Sequence, residues 1–151
     1  MRQVRRQLAE PGPPSYVGVT WRAETVGRRN IIYKEVSANK FATALKGLSG
    51  TLIAMQRLPA PGEIGRFSTS LEDPLHDLTA LNKNLDDILA LSSLLDEYLY
   101  VSNTNVYFRT VQRRTSRVLF PHPPEFRRIM EGDSSPWFVG TKIYRRGRNG
   151  D

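Results

Sequence analysis

Cysteine is absent from the 151-residue chain. This excludes a disulfide scaffold, a thiolate metal site and a cysteine nucleophile. Histidine is nearly absent as well. His76 stands beside Asp77 and His122 stands between prolines, and neither belongs to a ligand motif such as H-E-x-x-H. The phosphate loops G-x-x-x-x-G-K-[ST] and G-x-G-x-x-G are missing, as is the nucleophile elbow G-x-S-x-G. No apolar run approaches the ~18 residues of a membrane span. The adjacent carboxylates Asp86-Asp87 and Asp96-Glu97, read as helical, point about 100° apart and cannot share a site as a catalytic dyad would. These absences predict a protein that is not an enzyme and that uses no metal or cofactor.

Lysine is scarce, five residues against seventeen arginines. Arginine makes planar, bidentate contacts with phosphate and carboxylate, although a GC-rich coding sequence produces the same bias. The net charge is +7, from 22 basic and 15 acidic residues. It is unevenly spread: +4 over residues 1–30, +3 over 31–69, −6 over 70–100 and +6 over 101–151. A chain basic at both ends and acidic in the middle carries information about its partners rather than its fold.

Residues 1–14 read as a basic arm, with Arg2, Arg5 and Arg6 ahead of Pro11, Pro13 and Pro14. At most about ten residues can be helical before the prolines stop them. Val17, Val19 and Trp21 alternate with smaller or polar residues, the period of a half-buried strand. A turn with Arg28 and Arg29 at its tip and a second strand over 31–36 complete a predicted β-hairpin over about 16–36. Phe41, Leu45, Leu48, Leu52 and Met55 form one apolar stripe, predicting a helix over about 38–58 that Gly47 and Gly50 weaken. Leu71, Leu78, Leu85 and Leu99 with Leu81, Ile88 and Leu95 predict a longer helix over about 70–100, opened by Ser70 as cap. The two helices should pack as an antiparallel hairpin.

A second β-hairpin is predicted over about 105–120, with Arg113 and Arg114 at its tip and Arg117 on the returning strand. A strand over 137–144 precedes a basic tail, 145–151, carrying Arg145, Arg146 and Arg148. The expected architecture is therefore α+β: one domain over 15–144, a helical hairpin packed with two β-hairpins and a C-terminal strand. A mainly helical protein with decorating hairpins is the alternative.

These features predict a structural subunit of a large assembly, most readily a ribonucleoprotein of ribosomal or organellar-ribosomal type. Arg2, Arg5, Arg6, Arg28, Arg29, Arg113, Arg114, Arg117, Arg145, Arg146 and Arg148 would contact RNA backbone, with salt-sensitive affinity from counterion release. Leu89, Leu91, Leu94 and Tyr98 would face neighbouring protein subunits. The alternatives are a subunit of a protein-only assembly (a virion, filament or organellar membrane complex) or a small helix-binding adaptor. In a protein-only assembly, basic tail and acidic helix would support head-to-tail self-association. The expected location is intracellular, cytoplasmic or mitochondrial, without secretion.

Overall fold

The computed structural model describes residues 2–10, 12, 14–23, 36–120 and 138–145. Six strands form one sheet: β1 Tyr16–Thr20, β2 Thr51–Ala54, β3 Leu75–Asp77, β4 Glu97–Val101, β5 Ser116–Phe120 and β6 Thr141–Arg145. Their order is β3-β2-β1-β4-β5-β6 and every neighbouring pair is parallel. β1 lies at the centre, with Gly18 opposite Ile53 of β2 and Tyr98 of β4. The strand order reverses at β1, as in a Rossmann-like doubly wound sheet.

Among the described residues five helices cover the sheet: α1 Arg2–Ala9, α2 Ala38–Ala44, α3 Glu63–Leu71, α4 Leu85–Leu94 and α5 Asn105–Val111. On one face, Val17, Val19, Trp21, Leu52 and Ala54 pack against Phe41 and Ala42 of α2 and Phe67 and Leu71 of α3. Trp21 stacks on Phe67 with ring centroids 4.1 Å apart, and Phe41 meets Phe67 edge-on. On the other face, Ile53, Met55, Tyr98, Tyr100 and Val118 pack against Ile88 and Leu91 of α4, Val106 of α5, and Val4 and Leu8 of α1. Covered on both sides, β2 is buried at all four positions, so it shows none of the alternation that marks a half-exposed strand.

The expected α+β fold is corrected on each of its parts. The stripe 41–55 is not one helix. α2 ends at Ala44, and Leu52 belongs to a strand. The break falls at Gly47 and Gly50, both at positive φ, and a Cβ on Gly50 would lie 2.7 Å from the Ser15 carbonyl oxygen. The stripe 71–99 is likewise divided: Ser70 lies inside α3, Leu75–Asp77 is a strand, Thr79–Lys83 a short 3-10 helix, Leu85–Leu94 a helix and Glu97–Val101 a strand. A buried parallel strand and a buried helix are both continuous apolar runs, so short segments of each merge into a false helical period.

The expected β-hairpins are absent among the described residues. β1 pairs with β2 and β4, and the segment 106–111 is helix α5. The proposed return strand over 31–35 lies outside the described residues, as do residues 121–137 and 146–151. β1, Tyr16–Thr20, is shorter than the strand expected over 15–25, β5 spans 116–120, and β6 begins at Thr141 rather than at 137; their partners are parallel. The N-terminal segment is helical up to Ala9, and Val4 and Leu8 dock it on the core beside α4. Among the described residues no helix is long and apolar enough to cross a membrane.

Candidate ligand crevice at the strand-order reversal

Connections leaving β1 and β4 travel to opposite faces of the sheet, so a crevice opens beyond the carboxyl ends of these two strands. The chain has a cavity of about 310 Å³ there. That is the lower end of the ~300–1,000 Å³ typical of small-molecule sites. Thr20, Arg22 and Ala23 line it from the end of β1, and Met55 and Arg57 from the end of β2. Asn82, Lys83, Leu85 and Ile88 contribute from the 3-10 helix and α4, and Asn103, Thr104, Asn105 and Phe108 from the β4–α5 connection.

Among the described residues the lining includes Arg22, Arg57 and Lys83 and no carboxylate. Arg57 and Lys83 are exposed, and among the described residues neither side chain has a carboxylate partner. Arg22 is different. Its guanidinium is 6% exposed and bound to Glu63 at the start of α3: Nη2 donates to Oε2 at 2.8 Å and Nε to Oε1 at 3.3 Å. Nη2 also donates to the Leu58 carbonyl. Glu63 further accepts from Trp21 Nε1 at 2.7 Å and from the Ala60 N–H at 2.7 Å. Burial pushes the Glu63 carboxyl up, but the Arg22, Ala60 and Trp21 hydrogen bonds and the Arg22 charge outweigh it and hold the group below its ordinary 4.5.

The backbone at the end of β1 is fixed by a buried amide. Gln56 Oε1 accepts from the N–H groups of Trp21 and Arg22, and its Nε2 donates to the carbonyls of Arg22 and Arg57. The side chain thus substitutes for ladder bonds where β1 and β2 diverge.

On the β4 side, the buried Tyr98 hydroxyl lies 2.8 Å from Thr20 Oγ1 and accepts from Asn105 Nδ2 at 3.0 Å. Asn103 approaches it at 3.5 Å, while its Oδ1 accepts from the Asn105 N–H. The Tyr98 ring stacks on Tyr100 at 4.3 Å and lies beside Gly18. A Cβ on Gly18 would come within 2.9 Å of Tyr98 Cδ2 and closer still to Leu95 and Met55, so the glycine makes room for this ring. Burial pushes the Tyr98 hydroxyl above its ordinary 10, which keeps it protonated at neutral pH.

Of the arginines singled out from the sequence, none that is described lines the crevice. Arg2, Arg5 and Arg6 are exposed on α1. Arg113 and Arg114 are exposed in the turn after α5, Arg113 at φ 53°. Arg117 is exposed on β5, paired with Glu97 on β4 and donating to the Tyr144 hydroxyl on β6. Arg145 is half-buried at the end of β6. Arg28, Arg29, Arg146 and Arg148 lie outside the described residues. Of the expected interface residues, Leu91 and Tyr98 are core at 0% and 1% exposure, while Leu89 and Leu94 are half-buried.

The sequence reading missed Arg22, Arg57, Lys83, Asn103 and Asn105. Polar residues do follow the apolar runs 16–21, 51–55 and 97–101 directly. That signal acquires meaning only once those runs are known to be parallel neighbours. β1 is followed by Trp21-Arg22-Ala23, and the continuation of this connection over 24–35 lies outside the described residues.

No protein-family model matches the chain, and no curated protein matches it in sequence. Among solved structures it is similar to the crystal structure of the glycosyl transferase family 9 from Veillonella parvula DSM 2008, with a TM-score of 0.63 and 11% identity. The similarity covers 95% of this chain and 39% of that one, so the chain spans well under half of its neighbour's length. This corrects the expectation of a ribonucleoprotein, virion, filament or organellar subunit. The architecture is a Rossmann-like α/β sheet shared with a glycosyl transferase, and the charged helix invoked for head-to-tail assembly is several separate elements.

Proposed function

We propose that this chain is a ligand-binding domain that takes a phosphate-bearing small molecule in the switch-point crevice, as one lobe of a glycosyltransferase-type enzyme. The observation that carries the reading is the pair Arg57 and Lys83. Both are cationic, exposed and without a carboxylate partner among the described residues, and they line a cavity to which the described residues contribute no carboxylate. Such a pair of cations attracts an anion.

In a transfer reaction from a phosphate-activated sugar, negative charge grows on the departing phosphate. Arg57 and Lys83 would stabilise that charge, and the Arg22–Glu63 pair would hold the crevice wall in place as it develops.

The test is thermal unfolding of the full chain with inorganic pyrophosphate. A ligand that binds only the folded state raises the melting temperature in proportion to the logarithm of its concentration over Kd. The expected result is stabilisation that shrinks with added salt and vanishes in the Arg57→Ala/Lys83→Ala variant. No stabilisation at millimolar pyrophosphate, or an equal effect in the variant, refutes the reading.

A further inference from the structure

The two sides of the crevice differ in chemistry. Lys83 and Arg57 follow β3 and β2, on one side of β1, whereas Asn103, Thr104, Asn105 and Phe108 follow β4, on the other. Two strand spacings separate β2 from β4, roughly 10 Å at ~4.8 Å each. The β2–β3 side contributes two cations. Among the described residues the β4 side contributes amides, a hydroxyl and an aromatic ring to the lining and no charged group.

The β4 side is also polarised by its own hydrogen bonds. Asn105 donates one of its two Nδ2 hydrogens to the Tyr98 hydroxyl. Its backbone N–H is taken by Asn103 Oδ1. The polar atom of the Asn105 side chain that no described hydrogen bond uses is the acceptor Oδ1. An acceptor receives a hydroxyl group and repels a phosphate oxygen.

We propose that the crevice reads its ligand in two halves, phosphate at Arg57 and Lys83 and a neutral hydroxyl-bearing group at Thr104 and Asn105. Tyr98 is the positioning residue of the second half, because its hydroxyl anchors the Asn105 amide through Nδ2 and so fixes the amide's orientation. The ligand class is a sugar phosphate or a larger molecule built on one, lying across the end of β1 with its phosphate toward β2 and β3. This assignment rests on the anion-site reading above and adds to it an orientation and a selectivity.

A matched pair of probes tests it: inorganic phosphate and ribose 5-phosphate, titrated into the full chain and followed by ¹H–¹⁵N NMR. Phosphate should perturb signals of Arg57 and Lys83 alone. Ribose 5-phosphate should also shift the Asn105 side-chain amide and bind up to about tenfold tighter, the worth of one or two net hydrogen bonds. Asn105→Ala should erase that advantage and leave phosphate affinity unchanged, which at the same time shows the variant folded. Tyr98→Phe should do the same, a selectivity change that a merely structural role would not produce.

If ribose 5-phosphate binds no better than phosphate, or keeps its advantage in Asn105→Ala, the two-half assignment is overturned while the anion site stands. If neither probe perturbs Arg57 or Lys83, the anion-site reading fails and the orientation fails with it.

Discussion

Gln56 clasps the main chain of Arg22 from both sides: its Oε1 accepts from the Arg22 N–H at 3.1 Å and its Nε2 donates to the Arg22 carbonyl at 2.8 Å. The strands carrying these residues are parallel neighbours, and the clasp continues their pairing past the point where the ladder stops. It sets the backbone from which Arg22 reaches Glu63, and so couples the floor of the sheet to the wall of the crevice.

Gln56→Leu should therefore destabilise the fold beyond the loss of one contact. Buried N–H groups of Trp21 and Arg22 and the Arg22 carbonyl would lose this partner. The expected cost is about 2–4 kcal/mol, read as a lower urea midpoint with an unchanged slope.

Glu63 predicts an acid-dependent loss of stability. Its carboxyl is held below the ordinary value in the folded chain, so its contribution is present above the unfolded pKa and is lost as pH falls through the lower folded one. Melting temperature should drop as pH is taken from about 5 toward 3. Glu63→Gln should flatten that part of the profile and lower stability at neutral pH, because the charge-assisted hydrogen bonds from Arg22 to Glu63 are weakened. An unchanged acid limb in the variant would refute the assignment.

Arg109 is fully buried on the opposite side of the sheet, and its guanidinium donates to backbone carbonyls: Ser92 at 2.7 Å, Leu95 at 3.0 Å, Asp96, and Thr115. These include carbonyls at the end of α4, where a cation is favoured by the helix dipole. Arg109→Lys should cost about 2–4 kcal/mol, since an ammonium cannot reproduce the planar fork. A stability within 1 kcal/mol of the parent, on the scale of an ordinary surface change, would contradict it.

Gly18→Ala should lower stability by about 1–3 kcal/mol through overpacking. The added methyl falls within 2.5–2.9 Å of Leu95 Cδ1, Met55 Sδ and Tyr98 Cδ2. Leu95 and Met55 can give way more readily than the stacked Tyr98 ring. The variant should consequently also weaken sugar-phosphate binding relative to phosphate, measurable in the same titration.

Leu91→Asp separates core from interface. Leu91 is fully buried in the α4 cluster, so a carboxylate there should leave the chain unfolded or aggregated by circular dichroism and light scattering. A folded, soluble variant would return Leu91 to the surface.

Local chemistry was legible in the sequence: the proline stop after α1, the strand at Val17–Val19–Trp21, the strand over 116–120, and the lack of a glycine-rich nucleotide loop. Each depends on residues close together in the chain. What could not be read is which strand lies beside which. Leu52 and Leu99 both fit helical stripes, and burial on two faces of a parallel sheet explains why the strand of Leu52 is buried at every position. The crevice follows from strand order alone. Arg57, Lys83 and Asn105 are scattered in sequence and converge because β2, β1 and β4 are neighbours with their carboxyl ends aligned. Tertiary structure decided the site because no local interaction encodes that convergence. It is selected by the simultaneous burial of both sheet faces, to which the whole chain contributes.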